Sequence, residues 1–347
     1  MPDIILNIGR RRVGDHQPCF VIAEIGSNHN QNLELAFEHI DAAAATGVDA
    51  VKFQTFKAGR HYSRFTPGFS YLDNRDTYSL IETLELNREW HRLLKKRAES
   101  RGVEFFSSPC DVEAIDDLAQ LDVCAYKVAS FDLPDTDLIK HMASKGKPVI
   151  LSTGMADGAD IRAGVDACRA AGNEQTILLQ CTSLYPAPAR LSNLASVSTM
   201  RQAFGVLTGY SDHTLGDHVA LAAAALGACV LEKHFTLDRT LPGPDHAFAM
   251  EPAELREMMR KLREVEAAAG DGAKNGPRPE EQEMYEKGRR SLHAARDIRA
   301  GEKIGPDDIV VKRPGLGISP RLRDQVVGRV ARADIPADRW ITWDLLA

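Results

Sequence analysis

The sequence predicts a (β/α)8 barrel followed by a small second domain. Three observations lead there. Short apolar runs alternate with amphipathic stretches along most of the chain. The runs are continuous rather than alternating, which is the pattern of parallel strands buried on both faces. Several of them stop at hydroxyl, lysine or histidine residues, as strands do where they open onto a shared polar mouth.

The strand-like runs are "CFVIAEI" (19–25), "AVKFQT" (50–55), "VEFFSS" (103–108), "AYKVAS" (125–130), "PVILST" (148–153), "TILLQC" (176–181), "GVLTGY" (205–210) and "CVLEKHF" (229–235). Between them, Leu33, Phe37, Ile40 and Ala44 recur at helical spacing. Helices are also predicted over 157–172 and 215–228, and a long final one over 251–270, ending at Gly270. An open doubly wound sheet is the alternative, but no GxGxxG turn follows the first strand. The barrel is therefore assigned to 1–270. The Gly-, Pro- and charge-rich stretch 271–288 reads as a linker. The remainder, 289–347, carries a weak repeat: "DIRAGEKIGPDDI" aligns with "DIPADRWITWDLL", matching Asp297 to Asp334, Ile298 to Ile335, Ala300 to Ala337, Ile304 to Ile341 and Asp307 to Asp344. That suggests a pseudo-symmetric module.

Bulk properties narrow the function. A chain of 347 residues suits one large domain plus a small one. A net charge of −6 argues against general nucleic-acid binding. No apolar run reaches transmembrane length, and the start lacks a signal-peptide core. The six cysteines form no CxxC pair and read as reduced thiols in a cytoplasmic protein.

In such a barrel the strand ends converge on one mouth. Here they supply Glu24, Lys52, Gln54, Ser108, Lys127, Ser130, Ser152, Ser183, Ser211, His213, Glu232 and His234. Any one serine is more simply a helix cap. Together with two lysines, the set reads as an anion cradle. His213 and His234 end consecutive strands, so two imidazoles could hold a divalent metal with open positions, with Asp212 and Glu232 as acceptors that orient them. A purely structural role for either histidine stands beside that reading, and His29 and His246 are competitors on the same rim.

The motifs "IAEIGSNHN", "VKFQT", "YKVAS", "STGM", "QCTSLYP", "GYSDHT", "EKHFTLD", "GPDH" and "VKRPG" occur in that order. As a set they resemble the sialic acid synthase family, which includes the N-acetylneuraminate, legionaminate and pseudaminate synthases, over nearly the whole chain. The resemblance implies a (β/α)8 barrel with a C-terminal SAF (antifreeze-like) domain in a domain-swapped homodimer. It implies a transferase that joins phosphoenolpyruvate to an N-acylated mannose-type sugar and releases phosphate. Carried over by position, it places a divalent metal, Mn2+ or Mg2+, on His213 and His234. Lys52, Gln54, Ser108, Lys127, Ser130, Ser152, Ser183 and Ser211 fall on phosphoenolpyruvate positions. Glu24, Tyr185 and Asp245 face the sugar, and Arg313 reaches the partner's site. Asp132 stands where many bacterial members have glutamate, and Ser183 where some have asparagine. A carboxylate such as Glu24 or Asp132 could serve that chemistry as a general base.

The rivals are another phosphoenolpyruvate-dependent 3-deoxy-sugar-acid synthase, which would resemble the barrel but not the tail, and a non-catalytic sugar- or ice-binding protein. N-acetylmannosamine and 2,4-diacetamido-2,4,6-trideoxymannose both remain open as acceptors. The segment 60–80, a long insertion after the second barrel strand, is the place to expect specificity.

Overall fold

The structure, a computed structural model, describes residues 3–69 and 75–347. The chain divides into two compact units, Met1–Gly270 and Asp271–Ala347. The first begins with an antiparallel hairpin, β1 (Ile5–Ile8) and β2 (Arg11–Gly14), which the sequence reading did not anticipate. Then come β3 (Phe20–Gly26), α1 (Leu33–Ala44), β4 (Ala50–Thr55), α2 (Ala58–His61), α3 (Thr77–Leu84), α4 (His91–Ser100), β5 (Glu104–Pro109), α5 (Val112–Gln120), β6 (Tyr126–Val128) and α6 (Thr136–Ala143). The unit continues with β7 (Val149–Ser152), α7 (Gly158–Ala170), β8 (Thr176–Cys181), α8 (Ala195–Phe204), β9 (Leu207–Asp212), α9 (His218–Ala225), β10 (Val230–His234) and α10 (Pro252–Ala269). Strands β3 to β10 pair in sequence order, all parallel, and β10 closes on β3 to complete an eight-stranded barrel.

The barrel strands are buried because both faces are covered. Every residue of β3, β7, β9 and β10 is buried. The helices begin at side-chain caps: Asn32 accepts from the Leu35 N–H for α1, and Asp157 and Asp160 form a capping box for α7. Each such cap contributes about 1 kcal/mol. Helix α10 starts with Pro252 and packs Leu255, Met258, Met259 and Leu262 inward, the spacing of one helical face. The 60–80 insertion takes in the end of α2 and the start of α3, while residues 70–74 lie outside the described residues.

The second unit has its own core, with Leu292, Ile304, Ile309, Ile318, Val326, Ile335 and Ile341 among its buried residues. The stretch read as a linker carries a short helix, α11 (Gln282–Gly288). After it come the antiparallel pair β11 (Ser291–Ala294) and β12 (Ile309–Lys312), then α12 (Arg323–Val326). The sequence repeat is a structural one. Ile298 and Ile335 exchange backbone hydrogen bonds at 2.9 and 2.8 Å. Asp297 accepts from the Ala337 N–H at 2.7 Å, and Asp334 accepts from the Ala300 N–H at 2.8 Å.

Candidate active site

Side chains alternate across a strand, so residues two apart share a face. Lys52 and Gln54 on β4, Ser211 and His213 at the end of β9, and Glu232 and His234 on β10 all line one cavity of about 170 Å³. Glu24, Ser108, Lys127, Ser130, Asp132, Ser152, Tyr185 and Asp245 line it as well. Register brings the charges together: Glu24 lies opposite Lys52 across β3 and β4, and Ser211 opposite Glu232 across β9 and β10.

Two lysines and two glutamates form the floor. Lys52 Nζ lies 2.8 Å from Glu24 Oε2 and 3.8 Å from Glu232 Oε2, and donates to Ser108 Oγ at 3.3 Å. Lys127 Nζ donates to Ser152 Oγ at 2.6 Å and to the Val128 carbonyl at 2.9 Å, with Glu232 Oε1 at 3.9 Å. Gln54 donates to Glu24 Oε1 at 2.9 Å, and Ser211 to Glu232 Oε1 at 3.1 Å. Burial works against the Lys52 charge, but Glu232 and Glu24 outweigh it and raise its pKa. Burial lowers the pKa of Lys127, and Glu232 compensates only in part. Burial would raise Glu232, yet Lys127 and Lys52 hold it below the ordinary carboxylate range. Burial raises Glu24, which Lys52 counters only partly.

Beside Lys127 is a cradle of hydroxyls. The Gly154 N–H donates to Ser130 Oγ at 2.9 Å. A Cβ at Gly154 would lie 2.3 Å from Ser183 Oγ and 2.8 Å from Ser130 Oγ, so only glycine fits between them. Ser183 is not among the cavity-lining side chains, but its buried hydroxyl has no hydrogen-bond partner among the described residues. An unpaired buried hydroxyl is costly unless a ligand completes it.

The histidine side is different. The rings of His213 and His234 lie 5.2 Å apart, with Tyr185 packed on His213 at 4.3 Å and Phe248 on His234 at 4.9 Å. The Thr182 carbonyl accepts from His213 Nδ1 at 2.8 Å; burial disfavours the charge on this ring, but Cys181 and the carbonyl outweigh it and raise its pKa. His234 Nδ1 finds no hydrogen-bond partner among the described residues, and Asp245 Oδ2 is 3.7 Å away. Burial, then the neighbouring His213, keeps His234 neutral, and burial pushes Asp245 up to about 6. Paired imidazoles beside a carboxylate, one of them held neutral, fit a divalent cation, which would displace the proton of the other.

Asp212 and Glu232 do not orient these imidazoles. Asp212 falls between the inward residues Ser211 and His213, so it points away from the cavity and pairs with Lys233 at 2.8 Å. Glu232 serves the lysines. The competitors are structural: His29 is fully buried and accepts from the Gln31 N–H, and His246 Nδ1 bonds Thr236 Oγ1 at 2.6 Å. Arg313 belongs to the second unit, where its Nε donates to the Gly288 carbonyl at 2.6 Å. Sequence reasoning missed Gly154 as a spacer and the contribution of His61 and Cys110 to the cavity wall. Gly154 stands inside the quoted "STGM" and was open to notice. His61 and Cys110 carry no motif.

The model of the NeuB family matches residues 39–274, and that of the SAF domain residues 289–347. The chain is 39% identical to the N,N'-diacetyllegionaminic acid synthase of Legionella pneumophila, over 95% of each chain. It is 33% identical to a pseudaminic acid synthase of Campylobacter jejuni, over 91% of this chain and 93% of that one. Among solved structures it is similar to the N-acetylneuraminic acid synthetase of Leptospira borgpetersenii in complex with citrate, with a TM-score of 0.74 and 33% identity, covering 81% of this chain and 95% of that one. Barrel, cavity and relatives agree: the chain belongs to the NeuB family, as an enzyme of the synthase type with a C-terminal SAF domain.

Proposed function

We propose that the protein is a nonulosonic acid synthase, joining phosphoenolpyruvate to an N-acylated mannose-type sugar with release of phosphate. The observation that carries this reading is the buried Lys127, incompletely countered by Glu232 and set beside the hydroxyls of Ser130, Ser152 and Ser183. That arrangement suits a small, highly charged anion. Lys52, Ser108 and Ser211 extend the anion side, with Gln54 at its border. Glu24, Asp132, Tyr185 and Asp245 receive the sugar.

In the reaction, the carbon 2–carbon 3 double bond of phosphoenolpyruvate opens as carbon 3 bonds to the aldehyde carbon of the open-chain sugar, whose oxygen takes a proton to become a hydroxyl. Water adds to carbon 2, and the carbon 2–oxygen bond to phosphate breaks as the keto group forms. Lys52 and Lys127 hold the anion in place through these steps. Glu24 and Asp132 are the carboxylates that can take the water's proton. Burial raises both, toward the range where a carboxylate works as a base near neutral pH. His213 and His234 would hold a Mn2+ or Mg2+ ion, which supplies Lewis-acid polarisation of the aldehyde.

The acceptor is best read as 2,4-diacetamido-2,4,6-trideoxymannose. Phe56, Leu80, Ile81, Leu84 and Phe131 also line the cavity, an apolar wall suited to methyl groups rather than to a free 6-hydroxyl. The named activity of the Legionella relative supports the same choice. Phosphate release should require phosphoenolpyruvate and metal, stop with chelator, and be faster with this sugar than with N-acetylmannosamine. Equal rates would remove the apolar wall as the selector, and no release with either would overturn the function.

The proposal includes a cytoplasmic, domain-swapped homodimer in which Arg313 contacts the sugar's N-acyl group in the partner's barrel, as the family resemblance implies. Its fixed donors suit an amide carbonyl. Arg313→Ala and His234→Ala homodimers should each be impaired, and their purified heterodimer should recover part of the activity through one intact composite site. A heterodimer without recovery would place Arg313 elsewhere.

A further inference from the structure

The cavity wall carries a second group of donor atoms, away from the histidine pair. His61 ends α2, Cys110 follows β5, and Asp132 follows β6. Their ligand atoms all lie within 4.8 Å of one another. Cys110 Sγ is 3.6 Å from Asp132 Oδ2, and His61 Nδ1 is 3.8 Å from Asp132 Oδ1. Ligands on a tetrahedral ion with bonds of about 2.0–2.3 Å stand about 3.5 Å apart. Two of the edges are close to that length, each to a different oxygen of Asp132, and small side-chain adjustments would close the group on an ion. All three side chains line the same cavity, so the open side of the site faces it.

The barrel order sets this group apart from His213 and His234. Around the ring of β10, β3, β4, β5, β6, β7, β8 and β9, the β5–β6 pair lies opposite the β9–β10 pair. The ligand types also differ. A thiolate with an imidazole and a carboxylate is a soft set that selects zinc over manganese or magnesium. Three protein ligands leave one position open to water or substrate, unlike a closed four-ligand structural site.

We propose that His61, Cys110 and Asp132 form a zinc-binding site on the sugar side of the cavity, and that its occupancy inhibits the enzyme by engaging Asp132. The inhibition rests on the reading above that Asp132 meets the sugar. The binding does not. Zinc would thus act against the ion on the histidine pair, from the opposite wall.

Cobalt(II) is the probe for binding, because a cobalt–thiolate bond gives a charge-transfer band in the near ultraviolet. Full-length protein stripped of metal should show this band at one equivalent of cobalt. His234→Ala should keep the band and Cys110→Ser should lose it. No band in the wild type, or a band that survives Cys110→Ser, overturns the site. For function, manganese-loaded enzyme is titrated with zinc. Wild type should be inhibited at concentrations at least tenfold below those needed for Cys110→Ser. Equal sensitivity, with the band confirmed, would refute the inhibitory role. If no sugar is turned over at all, the proposed function fails while the cobalt result still decides the site. A melting temperature for Cys110→Ser matching that of wild type excludes misfolding as the cause of a lost band.

Discussion

Lys52 and Lys127 stand two strands apart in one cavity, 3% and 2% exposed, yet their surroundings shift them in opposite directions. Lys52 sits against Glu24 and within reach of Glu232, so it keeps its charge without a ligand. Lys127 has a hydroxyl, a carbonyl and a carboxylate at 3.9 Å, so its charge is only part-covered. A buried charge that is paired is part of the scaffold, while one that is short of a partner is poised for a ligand. The contrast separates what holds the site together from what the site holds.

The largest test breaks the two apart by substitution. Lys52→Met strands Glu24 and Glu232, and should cost about 3–5 kcal/mol in urea unfolding. Lys127→Met removes a cation short of a partner but leaves Glu232 with only Lys52 of its two lysines, at 3.8 Å, and should cost less than Lys52→Met, which strands two carboxylates. Phosphoenolpyruvate should raise the melting temperature of wild type but not of Lys127→Met. Equal destabilisation by the two substitutions would erase the distinction.

The same logic sharpens on a histidine. His91 is buried with Thr55 Oγ1 at 2.9 Å and, among the described residues, no carboxylate partner, and burial followed by the charge of Arg88 lowers it to about 4. Its folded pKa lies below the unfolded value, so the unfolded chain binds more protons between the two. Its contribution is complete above about pH 6.5 and is lost as pH falls toward 4, about 3 kcal/mol in all. Unfolding free energies of wild type and His91→Asn, measured from pH 7 to 4.5, should show a shallower decline for the variant. Parallel curves would mean that this imidazole is not held neutral.

The smallest effect concerns the cradle beside Lys127. Gly154→Ala would push the Ser130 and Ser183 hydroxyls aside, since its Cβ would fall 2.8 and 2.3 Å from them. The Michaelis constant for phosphoenolpyruvate should rise about tenfold, about 1.4 kcal/mol, with the sugar constant unchanged. A rise confined to the sugar would place the anion on the Lys52 side instead.

Much of this arrangement was legible in the sequence. The barrel followed from continuous apolar runs, and the cavity from their polar ends. Parity would have settled more: Glu232 shares the face of His234, and Asp212 cannot share that of His213. The repeat in the tail was visible, but not that its aspartates bond across it. Two things had no sequence signal. The β1–β2 hairpin is four residues on each side, too short for a period to show. The meeting of His61, Cys110 and Asp132 depends on three separate chain segments converging, which no local pattern encodes.

The crossed aspartates of the second unit have a consequence for how it can fail. Asp297 closes the turn at Ala337, and Asp334 closes the turn at Ala300. Neither half completes its own turn, so neither half is a stable piece alone. The unit behaves as an intramolecular dimer, whose halves gain or lose order together. A cut in the exposed chain between them would not release a folded fragment. It would leave two fragments that refold only by finding each other.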